Sequence, residues 1–133
     1  MTSPSCHATL LRKAYRRASS HYDDALAPLG INIGQFSLLR NIRRMAPVSL
    51  TDLSARVELD RSTLGRNTKV LQRMGLVASG PGKDQRETVL IITKEGQDML
   101  DAGSPLWDKA QADFEARLGP GNMKVLQDLL AAL

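Results

Sequence analysis

Basic and hydroxyl side chains recur at helical spacing between residues 61 and 74. Ser62, Arg66, Lys69 and Arg73 follow one another at intervals of three or four residues, so a helix would present all four on one side. Arginine and lysine donate hydrogen bonds to phosphates and to the edges of nucleic-acid bases, and a serine hydroxyl can bond to either. The spacing therefore predicts a positively charged surface for a polyanion.

A second basic segment connects two predicted strands and is rich in turn-forming residues. It carries Lys83, Asp84 and Arg86, and the strands cover 76–79 and 88–92. A hairpin with an arginine near its tip is narrow enough to enter the electronegative minor groove of duplex DNA. The hairpin is therefore a second candidate contact with the same polyanion.

Residues that could perform catalysis or bind a metal are few. Cys6 with His7 or His21 is the available nucleophile and base material, and adjacent side chains on a helix point about 100° apart. The spacing of these residues lacks the repeated pairs of a zinc motif. We therefore expect no enzymatic activity, no cofactor and no metal.

The polar surface falls on the second of two short predicted helices. The first begins at a capping position, Ser49, and a connection over 58–60 leads to the second helix, which ends at Gly75. Two short helices joined by a tight turn form a helix-turn-helix. Followed by the hairpin, they predict a winged helix.

Amphipathic helices flank this unit on both sides. A helix that starts at Ser3-Pro4 covers about 5–29, and a second begins with a capping box of Asn32 and Gln35 and ends near Met45. After the hairpin, the sequence predicts a fifth helix and a sixth. Apolar residues of the terminal helices follow the spacing of a helix seam, which requires a partner helix.

The fifth helix contains two residues that favour a bend. Thr93 can cap it, and Gly103 and Pro105 lie in its middle. We therefore expect a kink between the two halves of this helix.

Composition indicates one small domain whose core is aliphatic. The chain has 133 residues, 42% hydrophobic but only 4% aromatic, which disfavours an all-β sandwich. The net charge is +5 over 1–46, +2 over 47–90 and −3 over 91–133, a distribution typical of a protein that meets a polyanion on one side. With one cysteine, no signal-peptide pattern and no long apolar segment, we expect a cytoplasmic protein outside the membrane.

Four segments, in this order, resemble the MarR family of bacterial transcriptional regulators. They are Asp60–Arg66, Met74–Val77, Asp84–Arg86 and Thr93–Gly96. The family has Asp-x-Arg at the wing tip, a threonine nine residues after that aspartate and a glycine three residues further on, and this chain matches at all four positions. The resemblance implies a mainly α fold, an α+β winged helix-turn-helix with five to six helices and a two-stranded wing.

The resemblance also implies a homodimer, in agreement with the seams on the terminal helices. The chain would be a single domain, 1–133, with a DNA-binding lobe over 32–93. The dimerisation helices would come from both termini, over 4–30 and 94–133.

Roles for individual residues in binding double-stranded DNA follow from the same resemblance. Ser62, Thr63 and Arg66 would face base edges, Arg86 would reach the minor groove, and Asp84 would orient the wing by pairing with a nearby arginine. The remaining members of the expected DNA-binding set are Lys69, Arg73 and Lys83. Gly65 departs from the family, which more often has a better helix former there, and glycine costs a helix about 1 kcal/mol relative to alanine.

We expect a repressor that a small anionic or aromatic effector releases from a pseudo-palindromic operator. Such a ligand would bind where the first, second and fifth helices meet the DNA-binding lobe. The expected effector-binding residues are Arg16, Arg17, His21, Tyr22 and Arg40.

Two alternatives stay open at this point. One is a thiol-based redox sensor that uses Cys6, although the sensing cysteine of one family branch would align with Ala8. The other is a winged-helix module that binds a protein and no DNA, for which the positive face of the fourth helix is unfavourable.

Overall fold

The computed structural model describes residues 6–84 and 86–133. Within these residues six α-helices and three strands follow one another along the chain, with a short 3-10 helix at Ala27–Leu29. In chain order the elements are α1 (His7–Leu26), α2 (Ile33–Met45), β1 (Val48–Ser49), α3 (Leu50–Val57), α4 (Arg61–Arg73), β2 (Val77–Pro81), β3 (Thr88–Ile92), α5 (Lys94–Leu118) and α6 (Asn122–Ala131). The helix start expected at Ser3-Pro4 lies outside the described residues.

Polar side chains cap the starts of four of these helices, and the caps of α2, α3 and α5 are the expected ones. Asn32 and Gln35 form a reciprocal capping box at α2. At α3, α4 and α5, side-chain oxygens of Ser49, Asp60 and Thr93 each accept the backbone N–H three residues later. These bonds satisfy N–H groups that have no partner within the helix, so capping side chains define where these four helices begin.

The expected hairpin of β2 and β3 is confirmed, and a third strand, β1, which the sequence did not predict, joins it. β3 lies between β2 and β1 and is antiparallel to both, with Val48 opposite Leu90 and Ser49 opposite Val89. A strand of two residues is too short to show an alternating pattern in the sequence. Burial of Val48 and Leu90 holds it against the hairpin.

The fifth helix is one continuous element from Lys94 to Leu118 with Pro105 inside it, and the kink expected there stays a prediction. Gly103 serves close packing: a Cβ there would lie 2.5 Å from Cε2 of Phe36, whose side chain is fully buried in the core. The helix packs against both α1 and α2. α5 therefore connects the helices of the chain termini to the winged helix.

The core of the protein is aliphatic, as the composition predicts. Phe36 is the one aromatic residue among the largest fully buried side chains of the described residues. The others are Leu26, Leu39, Ile42, Leu53, Leu64, Leu71, Leu90 and Leu100. They come from α1 to α5 and from β3, so one core joins the helix-turn-helix to the terminal helices.

A cluster of hydrogen bonds at Thr93 joins the connection between α4 and β2 to the start of α5. The Thr93 hydroxyl donates to the carbonyl of Gly75 at 2.7 Å and accepts the N–H of Gly96 at 3.0 Å, while the Thr93 N–H donates to the carbonyl of Leu76 at 3.1 Å. Gly96 is buried, and a Cβ there would overlap the same Leu76 carbonyl oxygen. We call this arrangement the Thr93 joint.

Replacement of Gly96 by alanine should destabilise the protein strongly. The Leu76 carbonyl cannot move aside without losing its bond to Thr93, and overpacking of this kind costs about 1–3 kcal/mol. Urea unfolding should therefore show a lower midpoint for Gly96→Ala. Gly34→Ala is the control, since Gly34 also lies in the first turn of a helix and its nearest neighbour would be at 3.4 Å. Equal stability of the two variants would contradict the joint.

Candidate nucleic-acid interface

α4 buries one side and exposes the opposite one. Leu64, Thr68 and Leu71 are buried against the core. Four exposed side chains that the sequence singled out occupy the other side, which we call the α4 outer face: Ser62, Arg66, Lys69 and Arg73. The structure thus brings together on one surface the hydroxyl and the three cations.

The first turn of α4 is organised by Asp60, which the sequence analysis placed in the connection before the helix and in the family motif but did not identify as the capping residue. Its carboxylate accepts the N–H of Thr63 at 2.8 Å and the hydroxyl of Thr63 at 2.9 Å. Arg66 Nη2 in turn donates to the Thr63 hydroxyl at 3.3 Å. These bonds orient the Arg66 guanidinium across the first turn.

The same contacts act on the charge of Asp60. The Thr63 N–H, followed by the Thr63 hydroxyl and the charge of Arg66, holds the pKa of the Asp60 carboxyl below its usual range. The carboxylate is therefore ionised at neutral pH and remains the capping acceptor. Thr63, expected to face base edges, is half-buried and its hydroxyl is already bonded within the turn.

The turn between α3 and α4 is held by two local features. Glu58 adopts a left-handed conformation, with φ of 56°, which allows α3 to end and the chain to reverse within three residues. The Ser54 hydroxyl donates to the carbonyl of Leu59. α4 therefore leaves this turn at a defined angle to α3.

Lys83, Asp84 and Arg86 are all exposed at the tip of the wing. Backbone bonds from Gly82 to Glu87 at 2.8 Å and from Glu87 to Asp84 at 2.9 Å close this loop. The Asp84 carboxylate accepts the N–H of Arg86 at 3.2 Å. It lies with Arg86 and Arg61 along one cleft between the wing and the starts of α3 and α4.

The described part of the chain gives Asp84 a different contact from the one expected. Among the described residues, the ion pairs within 4.0 Å join Arg43 to Asp101, Lys94 to Asp98 and Lys124 to Asp128. None of them includes Asp84. Asp84 therefore supports the loop through the backbone of Arg86 and not through an arginine side chain.

A cavity of about 440 Å³ lies between α1, α2 and the helix-turn-helix turn. Tyr22, one of the five expected effector residues, lines it, and the turn contributes Leu59. The other lining residues are Tyr15, Ala18, Ser19, Ile33, Gly34, Ser37, Leu38, Asn41 and Val57. This lining is apolar with hydroxyl and amide groups and carries no cationic side chain.

The remaining four expected effector residues lie elsewhere. Arg16 and Arg17 are exposed on α1. His21 Nε2 lies 3.0 Å from the carbonyl oxygen of Ala110, and the Arg40 guanidinium lies 4.4 Å from the ring centre of Trp107. His21 and Arg40 thus attach α1 and α2 to α5.

Tyr22 connects the cavity to α5. Its hydroxyl donates to the side-chain oxygen of Gln111, and its ring packs near Phe114. Burial, with the nearby charge of Glu115, raises the pKa of the Tyr22 hydroxyl. The hydroxyl is therefore protonated at neutral pH and acts as a hydrogen-bond donor.

Cys6 is exposed and immediately precedes α1. A hydrogen bond from the backbone N–H of Thr9 lowers the pKa of its thiol.

Residues 6–84 and 86–133 contain no group of three or more histidine, cysteine or acidic side chains arranged to bind a metal ion. Nor does any helix of these residues have the length and hydrophobicity of a membrane span.

Comparison with known proteins identifies the family and the fold of this chain. A family model described as the MarR family matches residues 29–87. The DNA complex of the transcriptional regulator MosR of Mycobacterium tuberculosis is 34% identical, covers 96% of this chain and 93% of that one, and superposes with a TM-score of 0.85. The HTH-type regulator YwoH of Bacillus subtilis is 25% identical over 87 residues, which are 65% of this chain and 64% of YwoH. BpsR of Bordetella bronchiseptica shares the fold, with a TM-score of 0.85 and 21% identity over 98% of this chain and 96% of that one.

The exposed basic helix beside a basic hairpin defines a winged helix-turn-helix DNA-binding protein. The chain belongs to the MarR family of transcriptional regulators. It is therefore a DNA-binding regulator and not an enzyme.

Proposed function

We propose that the protein is a homodimeric repressor that binds a pseudo-palindromic operator and leaves it when a small aromatic molecule enters the cavity beside the helix-turn-helix turn. The observation that carries this proposal is the position of the α4 outer face beside the basic wing tip. Residues 32–93 form the DNA-binding lobe, and the terminal segments 4–30 and 94–133, which contribute α1, α5 and α6, form the dimerisation region.

Each basic group has a distinct task in the proposed complex. Arg66, oriented by Thr63, reads a base edge in the major groove together with Ser62, because guanidinium groups bond to guanine in a bidentate manner. Lys69, Arg73 and Lys83 bind phosphates and fix the register of the protein. Arg86 enters the minor groove, where the potential is most negative if the groove is narrow.

Exposed apolar side chains at both chain ends support a dimer. Leu10 and Tyr15 of α1 are 57% and 65% exposed, and Leu129 of α6 is 64% exposed. Leu11, Val125, Leu130 and Leu133 add to this apolar surface. A single chain that leaves so many large apolar groups in water is best completed by a second copy. Two-fold symmetry then requires operator half-sites about 10 bp apart, centre to centre.

The cavity supports an aromatic effector without a negative charge. Its size is within the range of roughly 300–1,000 Å³ that small-molecule sites have. Tyr22, Ser37 and Asn41 offer neutral hydrogen-bonding groups, and the lining provides no cation to neutralise an anion. BpsR, which shares the fold, has its DNA binding regulated by 6-hydroxynicotinic acid. The aromatic ring of that ligand supports the ligand class, whereas the neutral lining of this cavity favours an uncharged analogue over such a carboxylate.

Release follows from the position of the cavity. A ligand there touches α1 on one side and Leu59 of the turn that precedes α4 on the other. It lowers DNA affinity if it binds better to a dimer whose two α4 helices no longer match successive major grooves. DNA must then weaken ligand binding by the same factor, typically by about 1–3 kcal/mol.

Arg66→Ala should relax sequence preference, because it removes a base contact as well as a charge. We expect binding to the preferred operator to weaken by about 1–3 kcal/mol, with a smaller loss on random duplex. Lys69→Ala is the matched control and should weaken both duplexes alike. Fluorescence anisotropy on the two duplexes measures both effects, and equal losses for Arg66→Ala would reduce this residue to a phosphate contact.

Light scattering at micromolar concentration should give twice the chain mass of 14.5 kDa. Leu129→Lys should shift the equilibrium toward monomer, since it places a charge in the proposed apolar interface. Ile91→Lys should stay dimeric, because Ile91 is an exposed apolar residue of the wing and lies outside that interface. A wild-type protein with the mass of one chain contradicts the dimer.

Salicylamide should release the operator at a lower concentration than salicylate, since the two differ mainly in charge and the cavity lining is neutral. Ser37→Leu should fill the cavity and abolish the response while DNA binding persists. Ser20→Leu, at an exposed position of α1, is the control and should respond like the wild type.

A parallel titration uses a thiol oxidant. If only the oxidant releases DNA, and Cys6→Ser abolishes that release, control by ligand is refuted and control by the thiol replaces it.

A further inference from the structure

Most glycines of this chain occupy positions where another residue would be strained, either by the backbone conformation or by lack of space for a Cβ atom. Gly30, Gly75, Gly119 and Gly121 have positive φ values, which side chains disfavour. In α5, a Cβ at Gly96 would overlap the Leu76 carbonyl and a Cβ at Gly103 would overlap the Phe36 ring. Most glycines therefore serve the fold itself.

Gly65 lies in the interior of α4, where neither the backbone conformation nor the available space requires a glycine. Its φ is not in the left-handed region, and a Cβ built there would meet no atom within 4 Å. Glycine is among the poorest residues for a helix interior, so alanine at this position would make the helix more stable without any internal clash. The structure of the isolated chain gives no ground for glycine here.

The position of Gly65 beside the α4 outer face suggests that a contact with another molecule requires the glycine. It follows Ser62 by three residues and precedes Lys69 by four, which places it beside both at the edge of the α4 outer face. It also immediately precedes Arg66, whose guanidinium is oriented by Thr63. Where a side chain is missing, a helix backbone can approach its ligand more closely.

We propose that Gly65 is a specificity-determining residue, at which the α4 backbone approaches the edge of a base pair in the major groove too closely to leave room for a Cβ. This inference rests on the proposed use of the α4 outer face for reading the operator. A Cβ at position 65 would keep the helix from its closest approach and shift Arg66 away from its base. The loss therefore falls on the preferred sequence more than on phosphate contacts.

A different account of Gly65 is that it makes α4 flexible. A substitution at Asn67 distinguishes the two accounts. Asn67 is an exposed residue of the same helix on the side toward α2, where it lines a small cavity with Asn32 and Val70. Asn67→Ala raises helix propensity without adding an atom to the α4 outer face. It is therefore the matched control for the effect of a stiffer helix.

The experiment compares wild type, Gly65→Ala and Asn67→Ala by thermal unfolding and by binding to the operator and to a random duplex at one salt concentration. We expect both variants to unfold at a higher temperature than the wild type. For Gly65→Ala we expect operator binding to weaken about tenfold or more, which corresponds to about 1.4 kcal/mol, with random-duplex binding within about twofold. Asn67→Ala should bind both duplexes like the wild type. Selection of preferred sites from a random library should show a changed base preference for Gly65→Ala.

Three results would overturn the proposal. One is operator affinity and base preference of Gly65→Ala equal to those of the wild type. Another is an equal loss on both duplexes, and a third is the same loss in Asn67→Ala, which would assign the effect to flexibility. A wild type that does not distinguish the operator from random duplex contradicts the proposed function instead, so the two failures are separable.

Discussion

The close contact between the first turn of α5 and the start of β2 is the constraint on which the rest of the structure depends. At the Thr93 joint, one threonine bonds to Gly75 and Leu76, which connect α4 to β2, and to its own helix at Gly96. Because Gly96 has no side chain, α5 approaches a backbone carbonyl directly. The recognition helix, the wing and the long helix α5 therefore keep one relative orientation.

This orientation matters for DNA because, in the proposed complex, α4 and the wing contact different grooves. The two elements must be separated by a fixed distance if a major-groove and a minor-groove contact are to form together. β1 adds to the rigidity of the wing, since it pairs with β3 and leads directly into α3. At the other end of α4, Asp60 and Thr63 fix the first turn and bring Arg66 over it.

The cavity beside the turn lies where the molecule is less tightly joined. It separates α1 from the helix-turn-helix, whereas α1 and α5 are held to each other by Tyr22 with Gln111 and by His21 with Ala110. A ligand in the cavity would thus move the DNA-binding lobe relative to a firm pair of helices. In the proposed dimer, this arrangement would let the binding energy of a small ligand change the spacing between the two α4 helices.

The sequence by itself determined the starts of α2, α3 and α5, the helix-turn-helix, the basic outer face of α4 and the family, because capping residues and helical spacing are local signals. Only the tertiary structure decided the third strand of the wing, since Val48 and Ser49 pair with residues about forty positions away. It also gave Gly103 a packing role against Phe36 in an unbroken α5. Finally, it separated Tyr22 from Arg16, Arg17, His21 and Arg40, because residues close in sequence or alike in charge reach one cavity only if the packing of α1 and α2 turns them toward it.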